Sequence, residues 1–154
     1  MNINTVYIDT LIENCQQAKT SKPIKEFIFS NLEQLNGIKQ AIYIIEEVNG
    51  DKDKTFNDFT TYKNTKKRKC SKPNQPSSTM YVGSSTTGIK KRIEQHLGNG
   101  HKSTYALHLK HWFMGEYKIT IFVYDEPIEI LQIIEDNISY NLKPAFGKMG
   151  GNNK

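Results

Sequence analysis

The segment Met80 to Leu97, which reads MYVGSSTTGIKKRIEQHL, constrains the fold of this chain more than any other. Its apolar start has the character of a strand, Gly83 and a run of serines and threonines form a turn, and a helix follows. Apolar residues spaced four apart define one face of that helix: Ile89, Ile93 and Leu97. Arg92 and His96 have the same spacing and therefore lie one above the other beside that face. A strand-end tyrosine, Tyr81, thus converges with an Arg/His pair on one predicted cleft.

The length and charge of the chain bound its class. A chain of 154 residues suits one domain with a sizeable core. The formal net charge of +5 and the pI near 9.1 favour an anionic partner, first of all nucleic acid. Solubility alone explains the charge equally well.

The cysteines, the histidines and the apolar runs bear on the cellular location of the chain and on the kinds of site it can hold. Cys15 and Cys70 are far apart and form no C-x-x-C pair, so we expect neither a disulfide framework nor a zinc site. The four histidines crowd between positions 96 and 111, but no H-E-x-x-H motif accompanies them. No apolar run is long enough to span a bilayer, and acidic residues stand where a signal peptide has a basic start. These features predict a cytoplasmic protein without membrane contact.

Residues 1–36 are predicted to form an N-terminal helical arm. One apolar stripe runs from Val6 to Cys15. A second begins after Pro23, a residue favoured in the first turn of a helix, and continues to Leu35. Neither stripe carries a residue suited to chemistry, so we interpret the arm as a packing element or a dimer arm.

Three segments are predicted to be strands. Ile38 to Val48 is rich in β-branched and aromatic residues, Met80 to Val82 is apolar, and Tyr117 to Tyr124 alternates. Two further segments are predicted to be helices, His101 to Trp112 and Ile128 to about Leu142.

Residues 49–79 are the least regular part of the chain, with at most a short strand pair near Thr55 to Tyr62. No acidic residue occurs from Thr60 to Thr79, whereas basic residues recur: Lys63, Lys66, Lys67, Arg68, Lys69 and Lys72. A long basic loop indicates phosphate binding, with a solvated linker as the alternative. His101 and Lys102 belong to the same predicted DNA-binding set.

Glu135 lies close to the apolar face of the last predicted helix. That face is defined by five residues: Ile128, Leu131, Ile134, Ile138 and Leu142. A buried carboxylate is costly unless it is paired, protonated or bound to a metal. Glu135 is therefore either an ion-pair partner, for instance of Arg92, or a metal ligand.

The order of these parts resembles the GIY-YIG nuclease superfamily. The chain presents its motifs in sequence: Ala41-Ile42-Tyr43, then Tyr81-Val82-Gly83, then Arg92 with His96, and finally Glu135. The similarity covers residues 38–147. It implies an α+β fold with a small central three-stranded antiparallel sheet flanked by helices. It also implies hydrolysis of DNA phosphodiesters with a single divalent metal.

The resemblance assigns roles to residues. Tyr43 and Tyr81 match the motif tyrosines, and Gly83 matches the motif glycine. Arg92 matches the arginine that contacts the scissile phosphate. His96 matches a position that holds histidine or tyrosine. By the same comparison Glu135 matches the metal-binding glutamate, and the metal is Mg²⁺ or Mn²⁺.

A tyrosine that takes a proton from the attacking water needs a neighbouring group to assist it. A free tyrosine has a pKa of about 10, so a tyrosine base needs a helper such as His96, Lys90 or Lys91. Either tyrosine is a candidate for deprotonating the attacking water.

Three features depart from the family pattern. Alanine replaces the first glycine at Ala41. The segment between Tyr43 and Met80 is much longer than in most members, which makes residues 49–79 an insertion, as in the restriction-enzyme branch. Many members end with P-x-x-N, whereas Gly147 stands at that asparagine position here, and Asn141 is the candidate substitute.

The sequence therefore predicts a nuclease domain at residues 37–147 and a flexible tail at 148–154. We expect a divalent-metal-dependent endonuclease of the restriction type, acting on double-stranded DNA, with a homodimer as one route to double-strand cleavage. A structure-specific repair or recombination nuclease and a non-catalytic nucleic-acid-binding module are the alternatives.

Overall fold

The computed structural model describes residues 1–149 and has the predicted α+β class. Its elements, in order, are α1 Val6–Thr20, β1 Lys25–Ile28, a 3-10 helix Leu32–Leu35, β2 Ala41–Val48, α2 Lys52–Asn64, β3 Thr79–Ser85, α3 Ile89–Leu97, a 3-10 helix Leu109–His111, β4 Glu116–Val123 and α4 Ile128–Leu142. Within the predicted tail, residues 150–154 lie outside the described residues.

The sheet has four strands in the order β1-β4-β2-β3, and every neighbouring pair is antiparallel. The expectation of three strands was therefore one strand short. Alternation along β2 sends Tyr43 and Ile45 into the larger hydrophobic core and Ile42 into a smaller cluster beneath α4. The two faces of β2 thus serve two different layers of helices.

The second helix predicted in the N-terminal arm was wrong. Residues 25–28 form β1, and the 3-10 helix covers the remaining apolar residues up to Leu35. The backbone at Ile24 and Phe29 bonds to Val123 and Ile119, so this segment satisfies the otherwise open edge of β4. Pairing along that edge outweighs the helical spacing of the side chains.

The insertion contains a helix rather than the predicted loop or strand pair. Asp51 caps α2 by accepting hydrogen bonds from the backbone N–H groups of Asp53 and Lys54. The fully buried ring of Phe59 stacks on Phe146 with centroids 4.0 Å apart. The insertion is thus part of the hydrophobic core.

The helix predicted over His101 to Trp112 was also wrong, except for one 3-10 turn. Ala106 accepts a backbone hydrogen bond from Ser71, which holds this segment extended against the end of the insertion. His108 has a φ of 52°, in the left-handed region, and this conformation interrupts any longer helix.

Two helices flank the sheet near the site, and α1 lies outermost. Ile89 and Ile93 of α3 are fully buried in the larger core, whereas α1 buries none of its side chains. Gln17 and Ser21 bond to Glu126 and fix the C-terminal end of α1.

The longest helices within residues 1–149 have 15 residues, and none combines the length and apolar character needed to cross a membrane.

Candidate active site

Tyr43 and Tyr81 lie side by side on β2 and β3. Their rings are nearly parallel, at 3°, with centroids 6.0 Å apart. Gly83 pairs with Tyr43 across the two strands, and a Cβ atom at Gly83 would lie only 2.4 Å from the Tyr43 hydroxyl. The motif glycine is therefore required for space, because the Tyr43 hydroxyl occupies the position of its missing side chain.

His96 projects from α3 against both tyrosines. Its Nε2 atom lies 2.9 Å from the Tyr43 hydroxyl oxygen, and its ring centroid is 4.3 Å from that of Tyr81. Its Nδ1 atom accepts the backbone N–H of Leu107 over 3.2 Å. A neutral imidazole that accepts at Nδ1 carries its proton at Nε2, so His96 donates to Tyr43.

The two buried partners have shifted pKa values. Burial, with help from the nearby charges of Arg92 and His108, lowers the pKa of His96 well below its usual range. Burial raises the pKa of Tyr43 far above its usual range; Tyr81 and Glu135 add to the shift, and Arg92 opposes it. Both groups are therefore neutral at physiological pH.

Arg92 crosses the opening of this cluster. Its Nη2 atom donates to the Tyr81 hydroxyl over 3.0 Å, and its Nη1 atom donates to Gln95 and to the carbonyl of Tyr105, each over 3.0 Å. These contacts fix the guanidinium plane beside Tyr81. The expected alternative in which Arg92 pairs with Glu135 is not what these contacts show.

Glu135 approaches the same edge of the sheet from α4. It is 6% exposed, and its Oε2 atom accepts from Gln132 over 2.9 Å. Burial raises the pKa of its carboxyl, while hydrogen bonds from Ser84 and Gln132 lower it. Ser84 follows Gly83 on β3, an edge strand, so Glu135 meets the tyrosine cluster around that edge.

The surroundings of Glu135 suit a hydrated cation. Neither salt bridge found within residues 1–149 includes this buried carboxylate. The described part of the chain has no group of three or more His, Cys, Asp or Glu side chains arranged to hold a metal ion. Mg²⁺ keeps much of its hydration and binds to one or two carboxylates plus phosphate oxygens, so a lone glutamate fits it better than it fits Zn²⁺.

Three of the predicted supporting residues do not contact the tyrosines: Lys90, Lys91 and Asn141. The ammonium of Lys90 donates to Asn36 over 3.1 Å, and Lys91 is exposed. Asn141 is exposed as well, and its amide faces Asn137 at 3.4 Å. We expected Asn141 to replace the asparagine of the family pattern, and its position does not favour that role.

Asn74 of the insertion is a residue that the sequence reasoning missed. Its side-chain amide donates to the carbonyls of Pro144 and Gly147 over 3.1 and 2.9 Å. Gly147, with φ +85°, rests on the Tyr81 ring, which lies 2.5 Å from where its Cβ would be. Asn74 thus holds the C-terminal turn against Tyr81, and only the long-range hydrogen bonds reveal it.

The predicted DNA-binding residues divide into two groups. Lys63 donates to the carbonyls of Cys70 and Ser71, and Arg68 donates to the carbonyl of Gly100, so these two cations hold the chain together. The others have exposed side chains: Lys66, Lys67, Lys69, Lys72, His101 and Lys102. A backbone hydrogen bond of 2.8 Å from Lys69 to Lys102 joins the two basic segments.

Comparisons with protein-family models, with curated proteins and with solved structures give no match to this chain.

Proposed function

We propose that this chain is a divalent-metal-dependent DNA endonuclease of the GIY-YIG type. The observation that carries the proposal is the convergence of Tyr43, Tyr81, Arg92 and His96 in one hydrogen-bonded cluster, with Glu135 at the same sheet edge. These residues come from two strands and two helices. A structural core does not need a buried carboxylate, a guanidinium and two tyrosine hydroxyls together.

Glu135 is the residue that would hold Mg²⁺ or Mn²⁺. Such an ion lowers the pKa of bound water and offsets charge on the phosphate and the leaving oxygen. Arg92 supplies a planar, permanently charged donor for two phosphate oxygens. In the free protein its N–H groups rest on Tyr81 and on the Tyr105 carbonyl, which keeps the guanidinium oriented for that task.

We propose that Tyr81, and not Tyr43, is the base that deprotonates the attacking water. Tyr43 is 1% exposed and stays protonated, whereas Tyr81 is partly open to solvent. For Tyr81 to act as the base, its hydroxyl proton first passes to solvent; the resulting oxyanion then takes a proton from the attacking water, and the Arg92 guanidinium 3.0 Å away stabilises that oxyanion. Tyr43 and His96 form the inner wall that fixes the position of the Tyr81 ring.

Double-stranded DNA is the proposed partner, and restriction-type cleavage the proposed activity. Two of the exposed lysines, Lys69 and Lys102, share a backbone hydrogen bond beside the loop that contacts Arg92. They are suited to holding DNA phosphates near the site. One site cuts one strand per visit, so we propose that a homodimer makes the double-strand break. The apolar surface of α1 would form its interface.

The decisive experiment compares cleavage of plasmid DNA by the wild type and by Glu135→Gln. Glu129→Gln, an exposed position on the same helix, is the matched control. With Mg²⁺ we expect cutting by the wild type and Glu129→Gln, and a loss on the order of 10³-fold in Glu135→Gln, because metal stabilisation of the transition state contributes several kcal/mol. We also expect Tyr81→Phe to lose more of the rate than Tyr43→Phe.

The ends of the products separate the alternatives. Discrete ends support restriction-type cutting, whereas scattered nicks or cuts that depend on a junction indicate the structure-specific nuclease. DNA binding by the wild type with no more cutting than Glu135→Gln would show a non-catalytic binding module and overturn the proposal.

A further inference from the structure

An exposed aromatic side chain stands next to Arg92 and has no part in the mechanism above. The Tyr105 side chain is 60% exposed, although its backbone carbonyl accepts a hydrogen bond from Arg92. The ammonium of Lys69 lies over its ring, 5.6 Å from the centroid. The ring is therefore mostly exposed and carries a cation over one face.

The backbone around Tyr105 is fixed on both sides. His108 bonds to the Thr104 carbonyl over 2.8 Å and to the Lys69 carbonyl over 2.9 Å. The next residues are held as well, because Ala106 accepts from Ser71 and Leu107 donates to His96. Tyr105 is therefore an exposed ring on a rigid support, with its neighbours bonded to site residues and to the insertion.

We propose that Tyr105 and Lys69 form a nucleotide-binding subsite for the DNA residue next to the scissile phosphate. The Tyr105 ring packs against the deoxyribose, which a duplex leaves accessible, and the Lys69 ammonium takes the adjoining phosphate. This inference rests on the proposed function, because Arg92 marks the position of the scissile phosphate. The carbonyl hydrogen bond between Arg92 and Tyr105 sets the distance between the two subsites.

The chemistry of the pair fits a nucleic acid strand. A deoxyribose presents the same apolar face in every nucleotide, and a lysine above the ring adds a charge for the backbone. The pair lies between Arg92, which bonds to the Tyr105 carbonyl, and Lys102, whose carbonyl accepts the backbone N–H of Lys69. Binding at this place would secure the strand on one side of the cut.

A second pair of the same type provides a matched control. Tyr140 is 66% exposed, and the ammonium of Lys143 lies over its ring at 5.1 Å from the centroid. It sits at the end of α4, five residues beyond Glu135, which places it on a different side of that helix. Its substitution removes the same atoms from the surface without touching the proposed subsite.

The test measures the affinity for a labelled DNA duplex in EDTA, where binding is separated from cleavage. Tyr105→Ala should weaken binding about 5-fold, because the apolar contact between the ring and the sugar is lost. Lys69→Met should lower the slope of log affinity against log salt by about one. Tyr140→Ala and Lys143→Met should leave both quantities unchanged, and Tyr105→Ala keeps the carbonyl that Arg92 uses.

The outcomes for the subsite and for the nuclease are distinguishable. If Tyr105→Ala weakens binding while Tyr140→Ala does not, the subsite stands, whether or not the wild type cuts DNA with Mg²⁺. If the wild type cuts and Tyr105→Ala binds as tightly as Tyr140→Ala, the subsite is wrong and the nuclease stands. A wild type that binds no duplex overturns both. Circular dichroism of each variant confirms that it is folded.

Discussion

The Tyr43 hydroxyl oxygen lies 2.9 Å from Nε2 of His96, and the backbone N–H of Leu107 donates a hydrogen bond to the other ring nitrogen, Nδ1. This pair of contacts fixes the tautomer, so the histidine donates and the tyrosine accepts. From the sequence we expected His96 to assist proton transfer. On these contacts we propose a narrower role for His96, which is to hold the Tyr43 hydroxyl in place and to pack against the Tyr81 ring.

We predict that His96→Gln keeps more activity than His96→Leu. A glutamine can donate to Tyr43 and accept from Leu107, whereas leucine leaves two polar groups without a partner in a buried site. The difference in cleavage rate should be about 10-fold, because one buried unsatisfied group costs 1–3 kcal/mol. Single-turnover rates of the two variants check this, and equal rates would show that only the volume of the side chain matters.

Stability is predicted to fall as the pH drops below 6.5, the usual pKa of histidine. Burial lowers the folded-state pKa of both His96 and His108, so below 6.5 the unfolded chain binds more protons than the folded chain. Urea unfolding at about pH 7 and pH 5.5 measures the loss in the free energy of unfolding. His96→Gln should reduce that loss. The raised pKa of Glu135 acts in the opposite direction, so the same two measurements on Glu135→Gln isolate the contribution of the histidines. A Glu135→Gln protein equally stable at both pH values would contradict the prediction.

Gly83→Ala is predicted to destabilise the site. The added Cβ would lie 2.4 Å from the Tyr43 hydroxyl and 3.0 Å from the Tyr81 ring, so at least one ring must move. We expect a loss of about 1–3 kcal/mol in the free energy of unfolding, as for other overpacked cores. Gly88→Ala is the control, because nothing lies within 4 Å of the Cβ it adds. Chemical denaturation of both variants should show the larger loss at Gly83, because Gly88→Ala changes only the N-cap of α3.

The strand and the helix within Met80 to Leu97 could be predicted because local patterns specify them, but the predicted turn at Gly83 was wrong, since Gly83 and Ser84 continue β3 in its pairing with β2. The predicted α4 stripe was right in its middle, where Leu131 and Ile134 are buried, and wrong at its ends, where Ile128 and Leu142 are exposed. The helical spacing of Ile89 and Ile93 and the apolar run before Gly83 agree with the structure. The location of Glu135 near the apolar face was also confirmed by its burial. In these segments local periodicity and tertiary contacts favour the same conformation.

Where contacts between distant parts of the chain decide the conformation, the prediction from sequence was wrong or could not be made. Residues 25–28 have the apolar spacing of a helix but form a strand that pairs with β4. Nothing in the local sequence of this segment indicates that β4 has an open edge beside it. Asn74 contacts Pro144 and Gly147 across the molecule, and the Tyr105 carbonyl reaches Arg92 from a separate loop. Such contacts depend on the folded arrangement of the whole chain.

Removing the charge of Glu135 is predicted to stabilise the metal-free protein. Burial raises the pKa of this carboxyl, so at neutral pH its ionised form lowers the stability of the folded state. Glu135→Gln should therefore unfold at a higher temperature than the wild type in EDTA. Added Mg²⁺ should raise the unfolding temperature of the wild type and leave that of Glu135→Gln unchanged. Equal Mg²⁺ shifts in both proteins would place the metal elsewhere.

The surface of α1 is predicted to bind a second copy of this chain. The first residues of the chain expose an unusual number of large apolar side chains: Met1, Ile3, Val6, Tyr7, Ile8, Leu11 and Ile12. The same stretch carries Asp9 and Glu13 and no lysine or arginine before Lys19, which disfavours DNA and anionic membranes as occupants. The basic surface of another copy, where Lys22 and Lys25 are exposed, complements it.

Sedimentation over a concentration series tests this interface. We expect the wild type to dimerise and a double variant, Ile8→Asn with Leu11→Asn, to remain monomeric at the same concentrations, because both side chains are exposed and their loss leaves the core intact. Tyr140→Asn, which changes an exposed residue on α4, should still dimerise. The monomeric double variant should nick plasmid DNA but make fewer double-strand breaks than the wild type, since each copy carries one site. Dimerisation of the double variant with wild-type affinity would assign the interface to another surface.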